Sequence, residues 1–323
     1  MKLYLMASLS LLITSEAFSK DSLLENLSDH AGGTEFLFSN DSEGFQIAKV
    51  AAEYLPKYQD GNHYLGTRIS TYHYKSDDWN ENGQKVSLIG RNIDTNTGNG
   101  WNAEIGIVNQ SSHTLLSFDG NYRMPVLENT ALELFANRDW VETKIGLEEG
   151  IHYNLVGMAA DQLIGDHITL VGVASSQFFS DDNRRDHGRL RLIYQPFLDS
   201  GLTLQARYRT YHSSKDDVNG AYFNPKNYNE SMLAIGFRKR ISNWSTNLIL
   251  GYGREKINND SSQSTNLYEF NLESPTYKSQ FLRLRAGYNR SASYYGPDYN
   301  YRYIMGECIL KFWWCFKKYA DIK

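Results

Sequence analysis

Residues 202–209, Leu-Thr-Leu-Gln-Ala-Arg-Tyr-Arg, alternate strictly between apolar and polar side chains, and segments of this kind about ten residues long recur along the chain, each ending in a turn signal. Successive side chains of an extended strand point to opposite faces. Leu202, Leu204, Ala206 and Tyr208 therefore share one face, and Thr203, Gln205, Arg207 and Arg209 the other. Residues 282–288, Leu-Arg-Leu-Arg-Ala-Gly-Tyr, read the same way. A soluble sandwich also hides one face and wets the other, so alternation alone does not choose the class. The number of repeats and the start of the chain do.

Residues 1–19 hold one lysine, Lys2, then an apolar stretch from Leu3 to Ile13, then small residues suited to cleavage after Ala17 or Ser19. This has the form of a secretory signal peptide, which implies an exported mature chain. No later run reaches the 18 or so apolar residues of a spanning helix. Charged residues make up 22% of the chain, beside 23 Tyr and 6 Trp, a mixture suited to strands with one apolar and one wet face. The net charge of −4 does not point to a nucleic-acid partner. Cys308 and Cys315 are too far apart in sequence to pair on a single strand or helix, and they suggest neither a disulfide framework nor a zinc site.

Alternation and turn residues place strands near 33–40, 45–55, 62–74, 84–94, 100–109, 113–123, 130–138, 151–161, 166–180, 186–196, 201–213, 229–240, 243–256, 264–273, 277–290 and 300–312. That is about sixteen, an even number as closed single-chain outer-membrane barrels require. Connections in the second half alternate in length. Short turns at 163–165, 197–200, 241–243 and 274–275 separate longer loops at 139–150, 214–228, 257–263 and 291–299, which fits short periplasmic turns and longer outer loops. No linker divides the chain. The expectation is one all-β domain over residues 20–316, a transmembrane antiparallel barrel of about sixteen strands in the outer membrane of a Gram-negative bacterium, followed by a short tail at 317–323.

Three segments carry a family likeness: Asn-Arg-Asp-Trp-Val-Glu-Thr at 137–143, with Asp139 and Trp140; Phe-Ser-Asp-Asp-Asn-Arg-Arg at 179–185, with Asp182, Asn183 and Arg184; and Gly-Ala-Tyr-Phe-Asn-Pro-Lys-Asn-Tyr at 220–228, with Tyr222, Phe223, Pro225 and Tyr228. In this order and spacing the chain resembles the C-terminal barrel of exopolysaccharide export porins, especially the poly-N-acetylglucosamine exporter, and more loosely the barrel of the cellulose export protein. The likeness covers most of residues 130–290 and implies a pore for a biofilm matrix polymer. Family members carry a helical tetratricopeptide scaffold ahead of the barrel, and this sequence shows no such repeats. The likeness is thus to the pore portion, and export would call for a separate periplasmic scaffold protein.

If the apolar side of each strand meets lipid, the other side lines the lumen. Arg189 and Arg191 on one strand and Arg207 and Arg209 on its hairpin partner then form a basic ladder, extended by Arg238, Arg283 and Arg285. Glu104, Asp119, Glu133 and Glu269 would face the same water from elsewhere. Two roles are open to these charges: a transverse field that favours anionic or neutral solutes, or cross-bracing of the wall by pairing. Trp101, Tyr122, Tyr208, Trp244, Tyr252 and Tyr288 lie near strand ends, where amphipathic rings settle at a membrane interface. Tyr211, Tyr222, Phe223, Tyr228, Tyr294, Tyr295, Tyr299 and Tyr301 lie near outer loops, placed either to stack on sugar rings or to pack the loops.

Catalysis has little in its favour. There is no nucleophile elbow and no histidine pair at metal-ligand spacing, and Gly98-Asn99-Gly100 reads as a hairpin turn. A hydrolase built on Asp181, Asp182, Asp186 and His187 at the outer rim is the weakest alternative. The expected role is a passive pore, most simply for an exopolysaccharide, with no cofactor and with lipid and polymer as partners. A general porin, or a receptor acting through its outer loops, is the rival.

Overall fold

The computed structural model describes residues 29–110, 112–275, 280–291 and 299–312. Sixteen strands follow in chain order: β1 (Asp29–Asp41), β2 (Gln46–Asp60), β3 (His63–Ser76), β4 (Trp79–Ile93), β5 (Gly100–Gln110), β6 (His113–Leu127), β7 (Thr130–Trp140) and β8 (His152–Ile164), then β9 (Ile168–Phe179), β10 (Arg184–Tyr194), β11 (Leu202–Ser213), β12 (Asn227–Ile241), β13 (Trp244–Ile257), β14 (Gln263–Glu273), β15 (Gln280–Ser291) and β16 (Tyr299–Phe312). Each pairs antiparallel with its sequence neighbours, and β1 pairs with β16 from His30↔Phe312 to Asp41↔Tyr301. The sheet is a closed barrel with no free edge. One short helix, α1 (Lys144–Glu148), interrupts the series among the described residues.

The two earliest strands exceed their expected spans: 33–40 and 45–55 become Asp29–Asp41 and Gln46–Asp60. In β2 the alternation breaks at Pro56, where the register to β3 shifts between Tyr54 and Lys57. Proline has no N–H to give the ladder, so a bulge is where a strand can hold it. Gly66 of β3 admits that bulge, since a Cβ there would lie 2.2 Å from the Tyr54 carbonyl oxygen. Pro125 sits at the corresponding kind of shift in β6.

Strand lengths of 11 to 15 residues exceed the roughly 9–11 that a tilted strand needs to cross a bilayer. The strand ends therefore stand clear of the hydrocarbon. The outer surface between them is apolar: Leu233 is 72% exposed, Leu88 63% and Leu116 62%, with Ile69, Val86, Ile107 and Ile235 beside them. A face of this kind is stable in lipid and not in water. Trp101 and Tyr122 form a cross-strand pair at one end of this band, and the exposed rings of Tyr208, Tyr252 and Tyr268 lie toward the other. Cys308 shares the outward parity of Ile304 and Leu310 on β16, whereas Cys315 and the expected tail lie outside the described residues.

The longer connections, 141–151 and 214–226, emerge on the face opposite the start of β1, which makes that face the outer one. The two-residue turn Ser242-Asn243 has φ of 47° and 68°, the left-handed pair whose twist suits a tight hairpin. Length segregation fails in the first half. The periplasmic turn 94–99 is longer than the outer connections 42–45 and 77–78. Its own residues close it: the Asp94 side chain accepts from the Asn96 N–H (2.8 Å), and Gly98 takes φ of 70°. The loop expected at 291–299 falls largely outside the described residues.

Inward side chains are not uniformly polar. Ala31, Leu55, Tyr58, Tyr64, Ile89, Phe281 and Ile309 pack together at the periplasmic end, across the β1–β16 seam. Met232, Ala234, Ile249 and Leu267 form a smaller patch midway along β12–β14.

Candidate functional site: lumen wall and outer mouth

Across β1–β5 the inner wall carries an alternating charge network. Arg68 of β3 is its hub, at 2.7 Å from Glu53, 2.8 Å from Glu104 and 3.2 Å from Glu35. Lys49 closes on Glu35 at 2.6 Å and Lys85 on Glu104 at 3.0 Å. Gly33 leaves room for this network, since a Cβ there would stand 2.5 Å from the Glu53 carboxylate. Three carboxylates meet three cations, so this stretch is close to neutral. Of the two roles open to Glu104 from the sequence, the geometry gives it that of a brace. Asp119 accepts a 2.7 Å bond from Asn137, and Glu133 one of 2.7 Å from Asn121. Arg123 pairs with Asp161 on the same wall.

On the far side of the seam, Arg283 donates to Glu273 (3.0 Å) and Glu307 (2.6 Å) and lies over the Phe281 ring. Arg285 is the next inward residue of β15, Glu269 faces inward from β14, and Arg238 does so from β12 toward the periplasmic end.

The four expected ladder arginines lie together. On β10 and β11 Arg189 stands directly opposite Arg209, and Arg191 opposite Arg207. Outward Leu190, Leu192, Leu204 and Tyr208 alternate with them. Arg209 is held by Glu230 of β12 at 2.9 Å, and it donates to the Tyr228 hydroxyl at 2.7 Å. Tyr228 in turn donates to Glu255 at 2.5 Å. Glu133, Asp139 and Glu269 make no ion pair with Arg189, Arg207 or Arg209 among the described residues. Glu230 does so because β12 places it beside Arg209 in register.

The three segments with the family likeness converge at the outer mouth. Asn183 donates its amide to Tyr222 (3.0 Å) and Asn224 (2.9 Å) and accepts from Ser214 and the Lys215 N–H. Arg185 donates to the Phe223 carbonyl at 2.6 Å and sits among the rings of Phe179, Tyr211 and Tyr222. Tyr222 stacks on Phe179 at 4.5 Å and donates to Asp181. Burial holds the Tyr222 hydroxyl well above the usual phenol range, so it stays a donor. Pro225 is fully buried in the same loop.

The connection after β7 completes the cluster. Thr143 caps α1 by accepting from the Gly146 N–H, and its hydroxyl donates to the Ala221 carbonyl at 2.5 Å. Val141 packs with Ala221 and Tyr222, while Glu142 accepts from Tyr74 of β3 at 3.1 Å. Trp140 is buried against His113 and His152, and the Asp139 carboxylate caps the Trp140 N–H. Two loops thus arch from β3 to β12 on one side of the mouth.

Other motif residues do not join this arch. Arg184 faces outward and pairs with Asp186, and Asp182 occupies a left-handed turn position with φ of 66°. Asp186 and His187 lie on opposite faces of β10, so they form no dyad. Of the loop aromatics, Tyr211 stacks on Tyr228 at 4.6 Å, so these rings pack one another. Tyr294, Tyr295 and the Tyr299 side chain lie outside the described residues. Sequence reasoning passed over Glu35, Lys49, Glu53, Arg68, Lys85, Arg123, Asp161, Glu230 and Glu307. Each has the inward parity of its strand, the signal that exposed the ladder.

No family model matches this sequence, and no curated protein matches it. Among solved structures the barrel is similar to a bacterial polysaccharide outer membrane secretin, with 11% identity and a TM-score of 0.65 over 89% of this chain and 99% of that one. OprD from Pseudomonas aeruginosa (10% identity, 88% of this chain and 94% of that one, TM-score 0.45) is more distant, as is OccAB3 from Acinetobacter baumannii (11%, 88% and 99%, 0.43). The fold is that of a Gram-negative outer-membrane barrel, and the chain resides in that membrane.

Proposed function

We propose that this barrel is a passive outer-membrane pore through which an exopolysaccharide leaves the cell. The carrying observation is the sidedness of the wall, with bare apolar side chains outside and inward rows of arginine, lysine, glutamate and aspartate. A wall of that kind suits the passage of a hydrated solute. The polymer is favoured by the likeness to the polysaccharide secretin over nearly its whole length, and by the resemblance of three segments to export porins. A receptor acting through outer loops is less well served, because the outer connections at 42–45 and 77–78 are short. A separate periplasmic protein would deliver the chain to the barrel, and lipid is the barrel's other partner. Deleting the coding region in its native host and quantifying extracellular polysaccharide tests this reading. Loss of the extracellular polymer is expected, restored by the wild-type chain. Unchanged export with impaired uptake of small solutes would overturn it in favour of a general porin.

A further inference from the structure

The arginines of this lumen divide by whether an acid holds them. Arg68, Arg123, Arg209 and Arg283 each hold at least one carboxylate. Arg285 of β15 holds none, and the same is true of Arg189 and Arg207 on the adjoining strands β10 and β11. Neither makes a hydrogen bond or ion pair among the described residues, and one terminal guanidinium nitrogen of Arg207 is buried without a partner. The flanking register explains why. Arg189 and Arg191 are followed on β9 by Val173 and Val171, and beyond them on β8 by Ala159 and Asp161, whose carboxylate is taken by Arg123. On the other side Arg207 is followed on β12 by Met232 and on β13 by Gly253. The nearest acid along that side, Glu230, is committed to Arg209.

Like charges set directly opposite one another across two strands are destabilising, and a buried donor without an acceptor adds a further cost. A wall that balances three cations with three acids elsewhere could balance these too. We infer that Arg189 and Arg207, with Arg191 opposite Arg207, form an anion-binding site midway along the lumen, and that the polymer of the proposed export function carries carboxylate groups, as a uronate-containing polysaccharide does. The guanidinium fork matches a carboxylate in two parallel hydrogen bonds, and a sugar acid supplies hydroxyls for the remaining donors. The site is built of four guanidinium groups on two strands, with Glu230 held by Arg209 and with Glu269 and Asp161 acting on Arg191 at longer range. A carboxylate on each passing residue would be held briefly and handed on, as transport through a pore requires.

This inference rests on the pore reading, and the experiment separates the two. Full-length protein in planar bilayers is exposed to hexameric polygalacturonate and, separately, to neutral maltohexaose, and block of the ion current is titrated. For the wild type, uronate should block at a concentration at least about ten-fold below the neutral oligomer, consistent with charge-assisted contacts. Arg189→Gln/Arg207→Gln should lose that preference, with the reversal potential in a salt gradient moving toward cation selectivity. Arg189→Lys/Arg207→Lys keeps the charge and should retain most of it. A conducting wild-type channel that is blocked alike by both oligomers, or is already cation-selective, overturns the inference and leaves the pore standing. So does a glutamine pair that behaves as wild type. A folded barrel that conducts no ions overturns both.

Discussion

Replacing Arg68 by Met tests whether the charge network of β1–β5 is structural. Arg68 alone bridges Glu35, Glu53 and Glu104, whose side chains are 11%, 0% and 14% exposed. The second oxygen of the Glu53 carboxylate is buried with no hydrogen-bond partner, so Arg68 supplies nearly all that compensates its charge. With Arg68 gone, three carboxylates face only Lys49 and Lys85. Removing one member of a buried ion pair costs about 3–5 kcal/mol, because the other charge remains desolvated. We expect Arg68→Met to destabilise the barrel by that amount in urea unfolding from lipid vesicles, followed by tryptophan fluorescence. The double variant Arg68→Met/Glu53→Gln should regain a large part of the loss, since it withdraws one charge of each sign. A loss below about 1 kcal/mol, the value of an exposed pair, would show that lumen water screens the network and that it contributes little to the fold.

Leu233→Arg, at the midpoint of β12 on the bare outer face, should cost about 2–4 kcal/mol in the same vesicle assay, as expected for arginine near the bilayer midplane. A neutral result would remove that face from lipid. Asn183→Ala breaks four bonds that tie the 180–183 turn to the 214–226 loop, so limited proteolysis of the folded barrel should cut the longer loop at least several-fold faster, while heat-modifiable electrophoretic mobility persists. Equal cleavage rates would show that the arch does not depend on this amide. Cys308, on the outward face of β16, should react in micelles with an apolar maleimide and resist a membrane-impermeant one in a Cys315→Ser background; the reverse order would mean that β16 is rotated by one residue.

The barrel was legible because a side-chain period of two is imposed separately on every strand, and misjudging one end leaves the others in place. Where the reading stopped short, the cause was local. Pro56 breaks the alternation of β2, and its bulge is stabilised by Gly66, a residue from another strand. The ladder was visible for the same reason as the barrel, since Arg189 and Arg191 alternate with Leu190 and Leu192, and Arg207 and Arg209 with Ala206 and Tyr208. Its partner Glu230 was not, because pairing across β11 and β12 depends on register, which the turn between them sets and a 13-residue connection hides. The arch was invisible for a different reason. Thr143 and Ala221 are 78 residues apart, and nothing in either segment announces that they meet.

That separation also decides what the family likeness can bear on. All three resembling segments hold the outer mouth: Val141 and Thr143 against Ala221, Asn183 against Tyr222, Arg185 against Phe223. The unpaired arginines come from the strands below and belong to none of those contacts. A sequence can therefore keep the arch while its lumen changes sign, because the arch is fixed by loop packing and amide hydrogen bonds, and the lumen by which inward positions carry charge. On the proposed reading, the charge of whatever passes is set by Arg189 and Arg207 and by the valine, methionine and glycine that flank them where acids would neutralise them.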